Sequence, residues 1–112
     1  MKILTIGDVV GEAGLDALHA LLRRIKRDVG ADFVIVNGEN AAGNGVLPRQ
    51  AEDIFDAGAD VVTLGNHAFG KQQIVPYLDE HSDILRPANL APQSPGQGWG
   101  IFDGPQGSRL LV

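Results

Sequence analysis

The sequence predicts an α/β domain built on a largely parallel β-sheet with flanking helices. Three observations predict it. Short β-branched and aliphatic runs recur at residues 2–6, 32–36 and 60–64. Helix-like stretches separate them. Each run ends in a glycine beside polar groups: Gly7-Asp8, Asn37-Gly38-Glu39-Asn40 and Gly65-Asn66-His67. Near-continuous apolar runs without strict alternation suit strands buried on both faces of a parallel sheet. Strand, helix, strand at this spacing implies right-handed crossovers.

Taken in order, the first run leads into a helix whose apolar positions Leu15, Leu18, Leu22, Ile25 and Val29 fall at three- and four-residue steps. Arg23, Arg24, Lys26 and Arg27 fill much of the remainder, and Gly30 stands where a C-cap glycine is expected. After the second run, Pro48 opens a helix that reaches Ala57 and stops at Gly58. A third helix is expected from about Lys71 to about Glu80, with Pro76 kinking it. Residues 1–86 thus form the α/β core of one domain. Residues 87–107 are rich in Pro, Gly, Gln, Asn and Ser, and read as a loop region broken by Trp99-Gly100-Ile101-Phe102. Residues 108–112 look like the start of a strand, leaving Leu110-Leu111-Val112 as an apolar edge that a neighbour would normally cover. On that ground the domain reads as incomplete, and association of identical chains through this edge would be one way to cover it.

Composition narrows the function classes. The 112 residues suit one small domain, and a 44% hydrophobic, 5% aromatic chain must build its core from aliphatic side chains. A net charge of -5 opposes a general nucleic-acid grip through phosphates. The absence of cysteine excludes disulfides and zinc–thiolate sites. No run is long enough for a membrane span, and the first is too short for a signal peptide, so a cytoplasmic location is expected.

The strand-end groups carry the chemistry. The carboxyl ends of parallel strands share one edge, where ligands bind. Asp8, Glu39, Asn40, Asn66 and His67 would therefore meet there: two carboxylates, two amides and an imidazole. Alone, each could be a turn or capping residue; their joint occurrence at three successive strand ends favours a metal site. A mixed O/N set suits Mn, Fe, Co or Zn better than calcium. His19 lies within the first helix and His81 near the end of the third, and both are expected to be solvated or locally hydrogen-bonded. The glycines of residues 7–14 match neither a dinucleotide fingerprint nor a P-loop.

Four blocks in order resemble the calcineurin-like metallophosphoesterases, and within them the bacterial YmdB-like branch: Ile6-Gly7-Asp8-Val9-Val10-Gly11, Asn37-Gly38-Glu39-Asn40-Ala41-Ala42, Thr63-Leu64-Gly65-Asn66-His67 and Leu85-Arg86-Pro87-Ala88-Asn89. The resemblance implies the N-terminal part of a four-layered α/β/β/α fold, with two divalent metal ions. It also implies hydrolysis of small phosphodiesters, 2′,3′-cyclic nucleotides among them, by a metal-activated water. By matching motif, Asp8 would ligate the first metal, Glu39 would bridge or adjoin both, and Asn40 and Asn66 would ligate the second. His67 would protonate the leaving oxygen or stabilise the transition state.

Three departures accompany the match. Such relatives supply further histidine ligands from a later part of the chain. They usually follow GNH with Trp-Asp, where this chain has Ala68-Phe69-Gly70, and their glycine-rich loop is slightly longer than Gly43-Asn44-Gly45-Val46. The alternative function is accordingly a truncated, non-catalytic metal-binding or interaction module.

Overall fold

The computed structural model describes residues 1–112. Strand β1 (Ile3–Ile6) leads into helix α1 (Gly11–Val29), strand β2 (Phe33–Asn37), helix α2 (Pro48–Ala57) and strand β3 (Val61–Thr63). Helix α3 (Ile74–Glu80) and the two-residue strand β4 (Ile84–Leu85) follow. The four strands form one parallel sheet in the order β1-β2-β3-β4, with Ile3 opposite Phe33, Ile35 opposite Val61 and Val62 opposite Ile84.

Because each new strand joins the same growing side, right-handed crossovers place all three helices on one face. The pleat then sorts the side chains. Val34, Val36, Val62, Leu64 and Ile84 turn toward the helices and pack with Leu15, Leu18, Leu22, Ile54, Ile74 and Leu78. Phe33, Val61 and Leu85 face the other way.

Local signals account for most helix ends. Gly30 closes α1 in the left-handed region at φ 66°, ψ 40°, with its N–H on the carbonyls of Lys26 and Arg27. Pro48 starts α2 and Gly58 ends it. Helix α3 starts later than expected, because residues 71–73 form tight turns first: Ile74 N donates to Lys71 O at 3.2 Å and Val75 N to Gln72 O at 3.2 Å. Pro76 thereby falls in the first turn, where a missing N–H breaks no helical bond, and the expected mid-helix kink is avoided.

The C-terminal segment differs from the sequence expectation. Inside the expected loop region lies strand β5 (Ile101–Asp103), which pairs antiparallel with β6 (Arg109–Leu111), matching Phe102 with Leu110. The final strand is therefore not an unpaired edge. Its Leu110 and Val112, with Phe102, pack on the Phe33–Val61–Leu85 cluster, and the Phe102 and Phe33 rings lie 6.0 Å apart. Cover on this face is partial: Ile3 remains 40% exposed and Leu111 66%. The molecule is a slab of 36 × 33 × 19 Å, its short axis close to one helix layer on one sheet.

Candidate active site

Two backbone hydrogen bonds fasten the β1–α1 loop to the end of β2: Val9 N to Asn37 O at 3.0 Å, and Gly11 N to Asn40 O at 3.2 Å. They bring Asp8 beside Asn40. The Asn40 side-chain N–H₂ donates to both Asp8 carboxylate oxygens, at 3.1 and 3.2 Å. Its carbonyl oxygen meets His67 Nδ1 at 2.9 Å. An ionised carboxylate only accepts, so the amide nitrogen faces Asp8 and the amide oxygen faces His67. That orientation requires His67 Nδ1 to carry the proton. Nε2 is left free to act on a ligand.

Glu39 is placed by a different device. Its carboxylate lies directly on Gly65, where a Cβ would overlap both oxygens, and accepts the His67 N–H at 3.1 Å. A glycine at the end of β3 thus seats a carboxylate from the end of β2. Gly38 is also closely packed: a Cβ there would come within 2.6 Å of Ile54 Cδ1, so the glycine lets α2 approach the strand end. Behind the loop, the buried Gln50 accepts from Leu47 N at 3.0 Å and donates to Ala41 O at 3.1 Å. Gln50 escapes the sequence reading, although a glutamine at the third helical position is the signal of a capping box.

Four of the five expected residues, Asp8, Glu39, Asn40 and His67, therefore converge. Asn66 is exposed and joins none of these hydrogen bonds. His19 is exposed on α1, and His81 holds Tyr77 O at 2.8 Å through Nδ1 while stacking on the Tyr77 ring. The donor chemistry suits a hard or borderline cation, but no three of the His, Asp and Glu side chains gather tightly enough to hold one.

The altered residues near His67 prove to be connected. A Cβ on Gly70 would overlap the Asn44 carbonyl oxygen, and one on Gly45 would reach Lys71 N at 3.0 Å. The short glycine-rich loop sits down on residues 70–71, in the place a carboxylate at position 70 would need. The largest cavity, about 590 Å³, lies at the opposite edge of the sheet between the C-terminal ends of α1 and α2. Its cations are engaged there: Arg23 donates to Asp56 O, and Lys26 Nζ lies 3.5 Å from Asp60.

The sequence pattern of YmdB-like proteins matches residues 4–112. This chain belongs to the YmdB-like family. A relative named 2′,3′-cyclic-nucleotide 2′-phosphodiesterase, from Bacillus subtilis strain 168, is 39% identical over 99 residues, covering 88% of this chain and 38% of the relative. Among solved structures, a hypothetical protein from Thermus thermophilus superposes with a TM-score of 0.88 at 38% identity, over 99% of this chain and 43% of that one. A structure described as a novel phosphatase from Mycoplasma pneumoniae gives 0.84 at 31% identity, over 92% and 38%. The mixed α/β architecture is thus the metallophosphoesterase fold of the YmdB-like family, of which this chain spans about two-fifths of the relatives' length.

Proposed function

We propose that the strand-end residues serve hydrolysis of small phosphodiesters, 2′,3′-cyclic nucleotides being the leading class. The observation that carries this reading is the Asp8–Asn40–His67 chain of hydrogen bonds beside Glu39, which orients an imidazole next to two carboxylates. The name of the Bacillus subtilis relative supports the substrate class.

Asp8, Glu39, Asn40 and Asn66 are the residues that would hold divalent ions, Mn or Fe before Zn or Co. Such ions supply a nucleophilic water at neutral pH and offset the charge of a phosphoryl group. Asn40 can serve a cation and His67 together, because its amide oxygen has two lone pairs. His67, fixed through Nδ1, presents Nε2 to the departing oxygen and in its imidazolium form delivers the proton. Glu39 holds the backbone of the same histidine by accepting its N–H at 3.1 Å.

The test is Mn-dependent hydrolysis of 2′,3′-cyclic AMP and of bis-p-nitrophenyl phosphate. His67→Ala is expected to lower kcat by about 10²–10⁴-fold, and Asp8→Ala to abolish Mn dependence. Full activity in either variant would overturn the assignment. The incomplete ligand cluster favours a second reading, a metal-binding module without turnover. Calorimetric titration separates them: two tight Mn sites favour the enzyme, and one weak site without hydrolysis favours the module.

A further inference from the structure

Arg86 is the second residue of the fourth sequence block, immediately after β4, and nothing in the strand-end network uses it. Its side chain is buried, only 7% exposed, yet it belongs to none of the ion pairs Lys26–Asp60, Arg27–Asp28 and Arg49–Glu12. Two of its donors are engaged by backbone carbonyls, Nε on Pro95 O at 3.1 Å and Nη1 on Pro87 O at 3.0 Å. A guanidinium has five N–H donors, so others remain. A cation taken out of water without an opposing charge is costly, and a bound anion would relieve that cost.

The surroundings of Arg86 are shaped for such a partner. The chain returns alongside β4, with Arg86 N donating to Gln97 O at 2.9 Å, and Gly98 then lies close against the guanidinium. A Cβ on Gly98 would stand 2.9 Å from Nη1 and 2.8 Å from Ala88 Cα, so only glycine leaves this approach open. The resulting cavity, about 270 Å³, is lined by Arg86, Gln97, Gly98 and Trp99. Trp99 is 61% exposed and offers a broad aromatic face to solvent beside a buried cation.

We infer that this cavity binds a nucleoside phosphate, its oxyanion on the remaining Arg86 donors and its base stacked on Trp99. Guanidinium groups bind phosphate through paired N–H donors, and an exposed indole holds bases of any identity by stacking. Strand β4 neighbours β3, whose end carries Asn66 and His67, and the loop holding the cavity leaves the sheet at that same edge. The choice of a nucleotide rests on the phosphodiesterase reading; the oxyanion site rests on Arg86 alone.

Trp99 is the single tryptophan of the chain, so its fluorescence reports on this cavity and nothing else. The experiment titrates the protein, in EDTA, with adenosine 3′-monophosphate, adenosine and inorganic phosphate. A saturable change in emission with the nucleotide is expected, weaker binding of adenosine, and competition by phosphate. Arg86→Lys, with its circular dichroism unchanged, should weaken nucleotide binding by roughly tenfold or more. Trp99→Ala, followed by calorimetry, should weaken the nucleotide but leave phosphate binding intact. No response at about 10 mM nucleotide, nucleotide and phosphate binding equally, or undiminished binding in folded Arg86→Lys would overturn the inference. Metal is absent throughout, so a failed hydrolysis assay and a failed nucleotide titration remain separate results.

Discussion

Single atoms set the geometry of the strand-end residues. The missing Cβ of Gly65 is the seat of the Glu39 carboxylate. Gly65→Ala should displace that carboxylate, a half-buried side chain that can rotate outward by giving up the His67 N–H, so calorimetry should show Mn affinity falling by about 10–100-fold with little change in melting temperature. Gly70→Asp should behave in the opposite way. Its Cβ meets a backbone carbonyl, that of Asn44, which cannot swing aside. Overpacking of this kind costs about 1–3 kcal/mol, and the urea midpoint should drop accordingly without any gain in metal binding. Asp8, Glu39, Asn40 and His67 are legible in the sequence because polar groups interrupt apolar runs at matching points. The bridging role of Asn40 and the exposure of Asn66 are not, since both depend on which way a side chain turns after the backbone is fixed.

Secondary elements were legible in proportion to their length and punctuation. Helix α2 is bracketed by Pro48 and Gly58, and α1 carries an apolar stripe ending at Gly30. Strand β4 has only two residues, too few to display any period, and β5 hides among prolines and glycines that suggest a loop. Helix α3 carries its own signature in Tyr77. Burial, then the carboxylates of Glu52, Asp83 and Asp56, push its hydroxyl above the ordinary value of 10.0. The folded chain thus holds that proton more tightly than the unfolded chain does. The resulting stability is complete below about pH 10 and is lost as pH rises through the folded-state value. Denaturation midpoints compared at about pH 9 and about pH 11 should fall more steeply for the parent than for Tyr77→Phe.

At the scale of the whole molecule, the sheet divides two unequal cores. The helical side is continuous, whereas the opposite side depends on the β5–β6 hairpin meeting Phe33, Val61 and Leu85. Phe102→Ala should remove the main aromatic contact between hairpin and sheet, at a cost near the lower end of the roughly 3–5 kcal/mol typical of phenylalanine truncation, because the ring is only half-buried. Hydrogen exchange should then show protection lost across residues 99–112 while the parallel sheet keeps its own. Equal loss in both would show that the hairpin and sheet open as one unit.

The strand order β1-β2-β3-β4 follows the chain without a single reversal. Each strand emerging from a ribosome therefore finds its partner already made and never waits for a later segment to fill a gap. Every such pairing must still close across a whole helix, as Ile3 does with Phe33, which slows pairing relative to local contacts but suits domains assembled from their N-terminus during synthesis. The outer side of β1 is the border that this growth never consumes, so the oldest strand of the nascent sheet still stands at its margin when the last one joins.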